Sequence, residues 1–145
     1  MIKLVVFDLD GVLVNARELH YEALNRSLNE VDSKYMIGLE EHLSTFDGLP
    51  TSKKLKMLSE MKGLPLESHN AVWRNKQKHT INIISNEYGR DERICNLLKE
   101  LKKEGYKIAV ASNSIRETIK MVLLRKGFME YIDFFYSNQD VKNPN

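Results

Sequence analysis

The chain has 145 residues, about one domain's worth, of which 42% are hydrophobic and 29% charged. These values argue against collagen-like, disordered and membrane-spanning classes. Lys and Arg number 22 against 20 Asp and Glu, a net charge of +2, which gives no electrostatic case for nucleic acid or an anionic membrane as the partner. Cys95 is the single cysteine, so no intramolecular disulfide can form, in keeping with a reducing cytoplasm. Met1 to Phe7 begins like a signal peptide, but Asp8 and Asp10 cut the apolar run and no small-residue cleavage site follows. The expected location is cytoplasmic.

The first element, Lys3 to Leu9, is a continuous apolar run with β-branched residues, followed by Gly11. Its pattern predicts a strand buried on both faces, as in a parallel sheet. From Ala16 to about Asn86 the period becomes helical. Leu19, Ala23, Leu24 and Leu28 make one stripe, and Leu55, Leu58 and Met61 a second, between Pro50-Thr51 and Gly63 as start and stop signals. A third stretch runs from about Leu66 to Ile84, with Trp73, Ile81 and Ile84 near one face and Trp73 expected in the core.

An alternating α/β pattern then takes over. Ile94, Leu97, Leu98 and Leu101 predict an amphipathic helix from about Asp91 to Gly105. Lys107 to Ala111 reads as a strand. Ser114-Ile115-Arg116-Glu117 reads as a capping box opening a helix that Gly127 closes, and Ile132 to Tyr136 as a further strand. This order implies right-handed crossovers and a parallel sheet. The expected architecture is an α/β core over 1–15 and 88–145, split by a helical insertion over 16–87.

Two segments carry chemistry. In Val5-Val6-Phe7-Asp8-Leu9-Asp10-Gly11, two carboxylates end a buried strand, the end at which open parallel sheets bind ligands. Alternation places Asp8 and Asp10 on one side if the strand runs through both. Their mutual repulsion is relieved either by a hard cation such as Mg²⁺ or by a proton held on one carboxyl. Either outcome suits phosphoryl transfer with one Asp as nucleophile and the other as acid and base. The same residues also fit a surface turn with two capping aspartates. In Ile108-Ala109-Val110-Ala111-Ser112-Asn113-Ser114, a strand ends in small polar residues before a helix N-terminus, a place that binds anions. Ser112 offers a hydroxyl and Asn113 a backbone N–H, though both also suit plain turn and cap positions.

Asp8-Leu9-Asp10-Gly11-Val12-Leu13, the helical insertion and Ala111-Ser112-Asn113, in that order, resemble the haloacid dehalogenase-like hydrolase superfamily. The likeness is to members with a helical cap after the first motif, including small-phosphate phosphatases and β-phosphoglucomutase-like enzymes. The resemblance implies a Rossmannoid core and Mg²⁺-dependent chemistry on a small phosphorylated metabolite. Asp8 is then the nucleophile and Asp10 the acid and base. Mg²⁺ binds the Asp8 carboxylate and the Asp10 carbonyl, and Ser112 and the Asn113 N–H hold phosphate oxygens. Asp10 argues against dehalogenation, because dehalogenating relatives lack an acid there. The family's third-motif lysine falls at Lys142, two residues before Pro144, or by register at Asn145.

The acidic fourth motif has no counterpart before Asn145, so the expectation is a fragment or truncated product of a longer protein. In the cap, Asn15 and Ala16 are expected at one hinge, and Glu87 to Arg90 at the other with Gly89 as pivot. His20, Gly48, Thr51 and Lys76 are the candidate substrate residues of the cap. His20, Lys76, Arg74, Gln77 and Lys78 also read as ordinary solvated helix positions. A phosphatase, a phosphomutase and an inactive family member all remain open at this point.

Overall fold

The structure, a computed structural model, describes Met1 and residues 3–141. The chain divides into two compact units, Met1–Ala16 with the chain from Ile84 onward, and Arg17–Ile83.

The first unit is built on a three-stranded parallel sheet in the order β1-β2-β3: β1 Leu4–Asp8, β2 Lys107–Ala111 and β3 Phe134–Tyr136. β2 is the central strand, and its Ile108, Ala109 and Val110 are fully buried. Helix α5, Glu92–Lys103, leads into β2, and helix α6, Arg116–Lys126, joins β2 to β3. Asp91 caps α5 by accepting the Ile94 N–H, and the Asp91 N–H reaches the Lys126 carbonyl at the end of α6. The buried residues of α5 are Cys95 and Leu98. Leu97, expected inside, is exposed, because the inward stripe passes through Cys95 instead. Burial raises the Cys95 thiol pKa, so it packs as a small apolar group.

α6 buries Thr118, Ile119, Val122 and Leu123 and ends at Gly127, whose φ is +78°. The Phe128 N–H donates to the Leu123 carbonyl and that of Gly127 to Leu124, which satisfies the orphan carbonyls of the last turn. Asp133 fixes the entry to β2. Its backbone N–H donates to the Ile108 carbonyl, and its carboxylate accepts from the Ile108 N–H at 2.8 Å and from Lys102 Nζ at 2.6 Å. The Lys102 and Ile108 hydrogen bonds hold this carboxyl below the usual carboxylate range.

The register sets Val6, Ala109 and Phe134 in one row and Asp8, Ala111 and Tyr136 in the next. Paired residues share a face. On this face Leu4, Val6, Phe134 and Tyr136 are exposed, against the expectation of a strand buried on both sides. β1 is an edge strand among the described residues, and no helix among them covers that face. The apolar run was a correct sign of a strand, but periodicity alone does not say which faces are covered.

The second unit is helical: α1 Arg17–Asn29, α2 Leu39–Glu41, a π-helical turn His42–Phe46, α3 Thr51–Lys62 and α4 His69–Glu87, whose last turn runs past Ile83. Its core joins Leu24 and Leu28 of α1, Tyr35, Ile37 and Phe46 from the connections, Leu55 and Leu58 of α3, Leu64, and Val72 of α4. Each large aliphatic side chain buried here contributes about 1.5–3 kcal/mol. Asn25 ties the α1 face to the following loop: its side-chain amide donates to the Ile37 carbonyl and accepts the Ile37 N–H, both at 2.8 Å. Pro50 and Gly63 bound α3, as the start and stop signals predict, with Gly63 in the left-handed region. Ser59 Oγ donates to the Leu64 carbonyl and pairs with His69 Nε2, closing the turn that follows.

Two core expectations fail here. Trp73 is exposed, and Met61 is exposed as well. On α4 the buried positions are Val72, Lys76, Thr80, Ile83 and Ile84, so the inward stripe lies one residue before Trp73.

Gly127→Ala is expected to destabilise the first unit by about 1–2 kcal/mol, the cost of a left-handed residue with a side chain. The new Cβ would also lie 2.7 Å from Arg90 Nη1. Urea denaturation followed by circular dichroism measures the loss, and Arg90→Ala in the same chain should recover only the steric part.

Candidate active site

The carboxyl ends of three parallel strands bring together the loops that follow them. Asp8 is the last residue of β1 and sits opposite Ala111 of β2. Its carboxylate is exposed and makes no hydrogen bond or ion pair among the described residues. The strand does not continue to Asp10. Leu9 turns inward and is buried, and its carbonyl accepts the N–H groups of Val12, Leu13 and Val14. Gly11, at φ +79°, donates to the Val14 carbonyl at 2.7 Å. A left-handed residue costs glycine nothing, so the chain reverses here without strain. Asp10 is therefore placed by this turn, bridged to Val14, and not by strand alternation.

One residue past the Asp8–Ala111 pair stands Ser112. Its N–H donates to the Tyr136 carbonyl at 3.1 Å, and its hydroxyl oxygen accepts the Ser114 N–H at 3.2 Å. Asn113 is exposed between them. The expected capping box at Ser114 does not form. The N-cap of α6 is Ile115, with no side-chain cap of its own. The Arg116 N–H instead donates to Gln139 Oε1 at 2.9 Å, supplied by the loop after β3. The box occurs in that loop, where Ser137 and Asp140 satisfy each other's end of a short 3₁₀ turn. The Ser137 N–H and hydroxyl both donate to the Asp140 carboxylate, holding it below the usual carboxylate range. The Asn138 N–H reaches the Ser114 carbonyl at 3.1 Å, so the loops after β2 and β3 are laced together. Sequence reasoning missed this box, and the Ser-x-x-Asp spacing is the signal that could have found it.

The first unit thus gathers Asp8, at the end of β1, and Asp10, Ser112 and Asn113, on the loops that follow β1 and β2, at one end of its sheet. Lys142 and Asn145 lie outside the described residues. Asp8 and Asp10 supply two hard oxygen donors. No group of three or more His, Cys, Asp or Glu side chains placed for a metal occurs among the described residues. That donor set suits Mg²⁺, which keeps several waters and often binds through one or two carboxylates.

The cap candidates lie in the second unit. His20 is half-buried on α1, Gly48 sits in a turn at φ +74°, Thr51 opens α3, and Lys76 is buried on α4. Sequence reasoning missed a polar cluster beside them. His42 is 1% exposed, and neither ring nitrogen has a hydrogen-bond partner. Its Nε2 is 3.8 Å from Asp47, which pairs at 3.3 Å with Arg17. Lys54 of α3 is 5% exposed and close enough to act electrostatically on His42 and Asp47. Burial, and then the Lys54 charge, push the His42 pKa below its ordinary 6.5, against the pull of Asp47.

The sequence model of the haloacid dehalogenase-like hydrolases matches residues 5–145. The chain belongs to that family. Among curated proteins it is 27% identical over 150 residues to the pyrophosphatase PpaX of Bacillus cereus, covering 98% of this chain and 62% of PpaX. Among solved structures it superimposes on CbbY from Rhodobacter sphaeroides, crystallised with xylulose-1,5-bisphosphate, with a TM-score of 0.82 at 18% identity. That match covers 99% of this chain and 66% of CbbY. A predicted phosphoglycolate phosphatase from Haemophilus somnus also matches at TM-score 0.82 and 19% identity, over 98% of this chain and 65% of that one. These structural likenesses establish the fold. The chain spans about 62% of the length of the curated relatives it matches.

His42 prefers to be neutral in the folded chain, so the unfolded chain takes up a proton first as pH falls. The stability linked to His42 is complete above pH 6.5 and declines as the pH drops below it, levelling off once the lowered folded pKa is passed. Thermal melts between pH 7.5 and 5.0 are expected to show this decline, and His42→Gln is expected to flatten it.

Proposed function

We propose that the chain carries the nucleophile and phosphate-binding part of a Mg²⁺-dependent phosphatase acting on a small phosphorylated metabolite. The observation that carries the reading is the Asp8 carboxylate. It is exposed and unpartnered at the carboxyl end of β1, one register step from Ser112. Membership of a hydrolase family, and relatives bearing pyrophosphatase and phosphoglycolate phosphatase names, support it.

In this reading an Asp8 oxygen attacks phosphorus, the bond to the leaving oxygen breaks, and Asp10 gives that oxygen its proton. Asp10 then takes a proton from water, whose oxygen attacks the phosphorus of the aspartyl-phosphate. The bond to Asp8 breaks and phosphate leaves, restoring both carboxyl groups. The Ser112 hydroxyl and the Asn113 N–H hold non-reacting phosphate oxygens near the start of α6, whose dipole favours anions. Lys142 would add a positive charge to the same group. The Asp8 carboxylate and the Asp10 carbonyl would hold Mg²⁺, which would supply charge neutralisation for the transferring group.

The test is phosphate release from p-nitrophenyl phosphate with Mg²⁺ and with EDTA. Activity is expected only with the metal, and Asp8→Asn is expected to lower it about a thousandfold or more. Equal rates in the wild-type and Asn chains would remove Asp8 as the nucleophile. A coupled sugar-phosphate mutase assay tells transfer to a second hydroxyl from transfer to water.

A further inference from the structure

The loop that follows β2 is gripped at every second residue from the β3 side. The Ser112 N–H donates to the Tyr136 carbonyl, and the Ser114 carbonyl accepts the Asn138 N–H, each at 3.1 Å. The Arg116 N–H donates to Gln139 Oε1 at 2.9 Å, and Arg116 Nη1 to the Asp140 carboxylate at 3.3 Å. The Arg116 guanidinium also lies over the Phe135 ring, 4.6 Å from its centroid. Between these ties stands Asn113, exposed, with a backbone N–H that has no acceptor among the described residues. Ser112 Oγ accepts the Ser114 N–H, so its own proton stays available to donate.

Nothing on α6 itself supplies this order. Its N-cap is Ile115, whose aliphatic side chain accepts no hydrogen bond. The Arg116 N–H belongs to the first turn and is satisfied because Gln139 reaches across to it. Gln139 is placed in turn by Ser137, whose hydroxyl accepts the Gln139 N–H at 3.2 Å. Ser137 is buried, and it donates its N–H and hydroxyl to Asp140 at 2.7 and 2.9 Å. Asp140 therefore meets Arg116 from a fixed position. An exposed Arg–Asp pair contributes little by itself, so its effect lies in the geometry it fixes.

We propose that Gln139 and Asp140 are positioning residues, which act through Arg116 to hold the Ser112 hydroxyl and the Asn113 N–H where a phosphate group meets them. This rests on the phosphatase reading, in which those two groups hold phosphate oxygens. Neither Gln139 nor Asp140 touches the phosphate. Their part is preorganisation: donors aimed at an anion work at full strength only when held within about 0.5 Å of the productive place.

The test is amide NMR on the 145-residue chain, first free and then titrated with inorganic phosphate in the presence of Mg²⁺. Gln139→Met keeps the length of the side chain and removes the acceptor. In this variant the Asn113 and Ser114 amides are expected to lose order, their order parameters falling from about 0.85 toward about 0.6. The phosphate Kd read at the Asn113 amide should rise about fivefold to tenfold, the scale of one capping hydrogen bond. Arg116→Met removes the tie to Asp140 and should act in the same direction. Gln139→Glu keeps an oxygen for the Arg116 N–H and should restore the order of the loop. Asp91→Ala removes the cap of α5 instead, a comparable loss away from this loop, and should change neither order nor affinity. Order or affinity that stays at the wild-type value in both Met variants, or that falls as far in Asp91→Ala, overturns the inference and leaves the phosphatase reading in place. An Asn113 amide that phosphate does not move in the wild-type chain overturns the phosphate-holding role of this loop and the inference with it.

Discussion

The structure depends on the parallel pairing of β1 with β2. Five consecutive residues of each strand are matched, from Leu4 with Lys107 to Asp8 with Ala111. Parallel neighbours need a long crossover, and here the crossover contains an entire helical unit as well as α5. The ladder therefore does two jobs. It closes the chain around the insertion, and it fixes Asp8 one step from Ser112. A slip of one residue would send Asp8 to the opposite face and dismantle the site. Asp133 guards against that slip at the other end of β2, holding the Ile108 N–H with its carboxylate and the Ile108 carbonyl with its own N–H.

Much of the fold was legible because its signals are local. Pro50 and Gly63 bound α3, Asp91 caps α5, and Gly127 ends α6, each through hydrogen bonds within a few residues. The parallel sheet followed from the alternation of strand and helix, and the family from the Asp8-to-Leu13 motif. What could not be read is what distant residues supply. The α6 cap comes from Gln139, 23 positions away from Arg116. The inward face of α4 lies one position, and that of α5 two positions, from the obvious aromatic or leucine residue, because Val72 and Cys95 point in while Trp73 and Leu97 do not. Short helices with mixed stripes leave that choice to tertiary packing.

The candidate site shows the same division. Asp8 and Asp10 stand out in sequence because charge ends an apolar run. Their placement does not, since it is the left-handed Gly11 and the three N–H groups on the Leu9 carbonyl that set Asp10. His42 and Lys54 were invisible as a pair. They are 12 residues apart, one on a π-helical turn and the other on a helix, a spacing with no periodic signature. Only burial shows that His42 is a polar side chain with both ring nitrogens unsatisfied.

The β1–β2 ladder also has a history in time. Lys3 and Glu104, which meet beside it, are 101 residues apart. At about 5–20 residues per second, synthesis leaves β1 without β2 for roughly 5–20 s. During that interval Leu-Val-Val-Phe, a short apolar β-rich segment, is out of the ribosome with its backbone unpaired. The helical unit, whose contacts do not need either strand, can fold in the meantime. The order of elements along the chain makes the first strand out the one with the longest wait, and the carboxylates that follow it at Asp8 and Asp10 keep a charge beside its apolar run throughout.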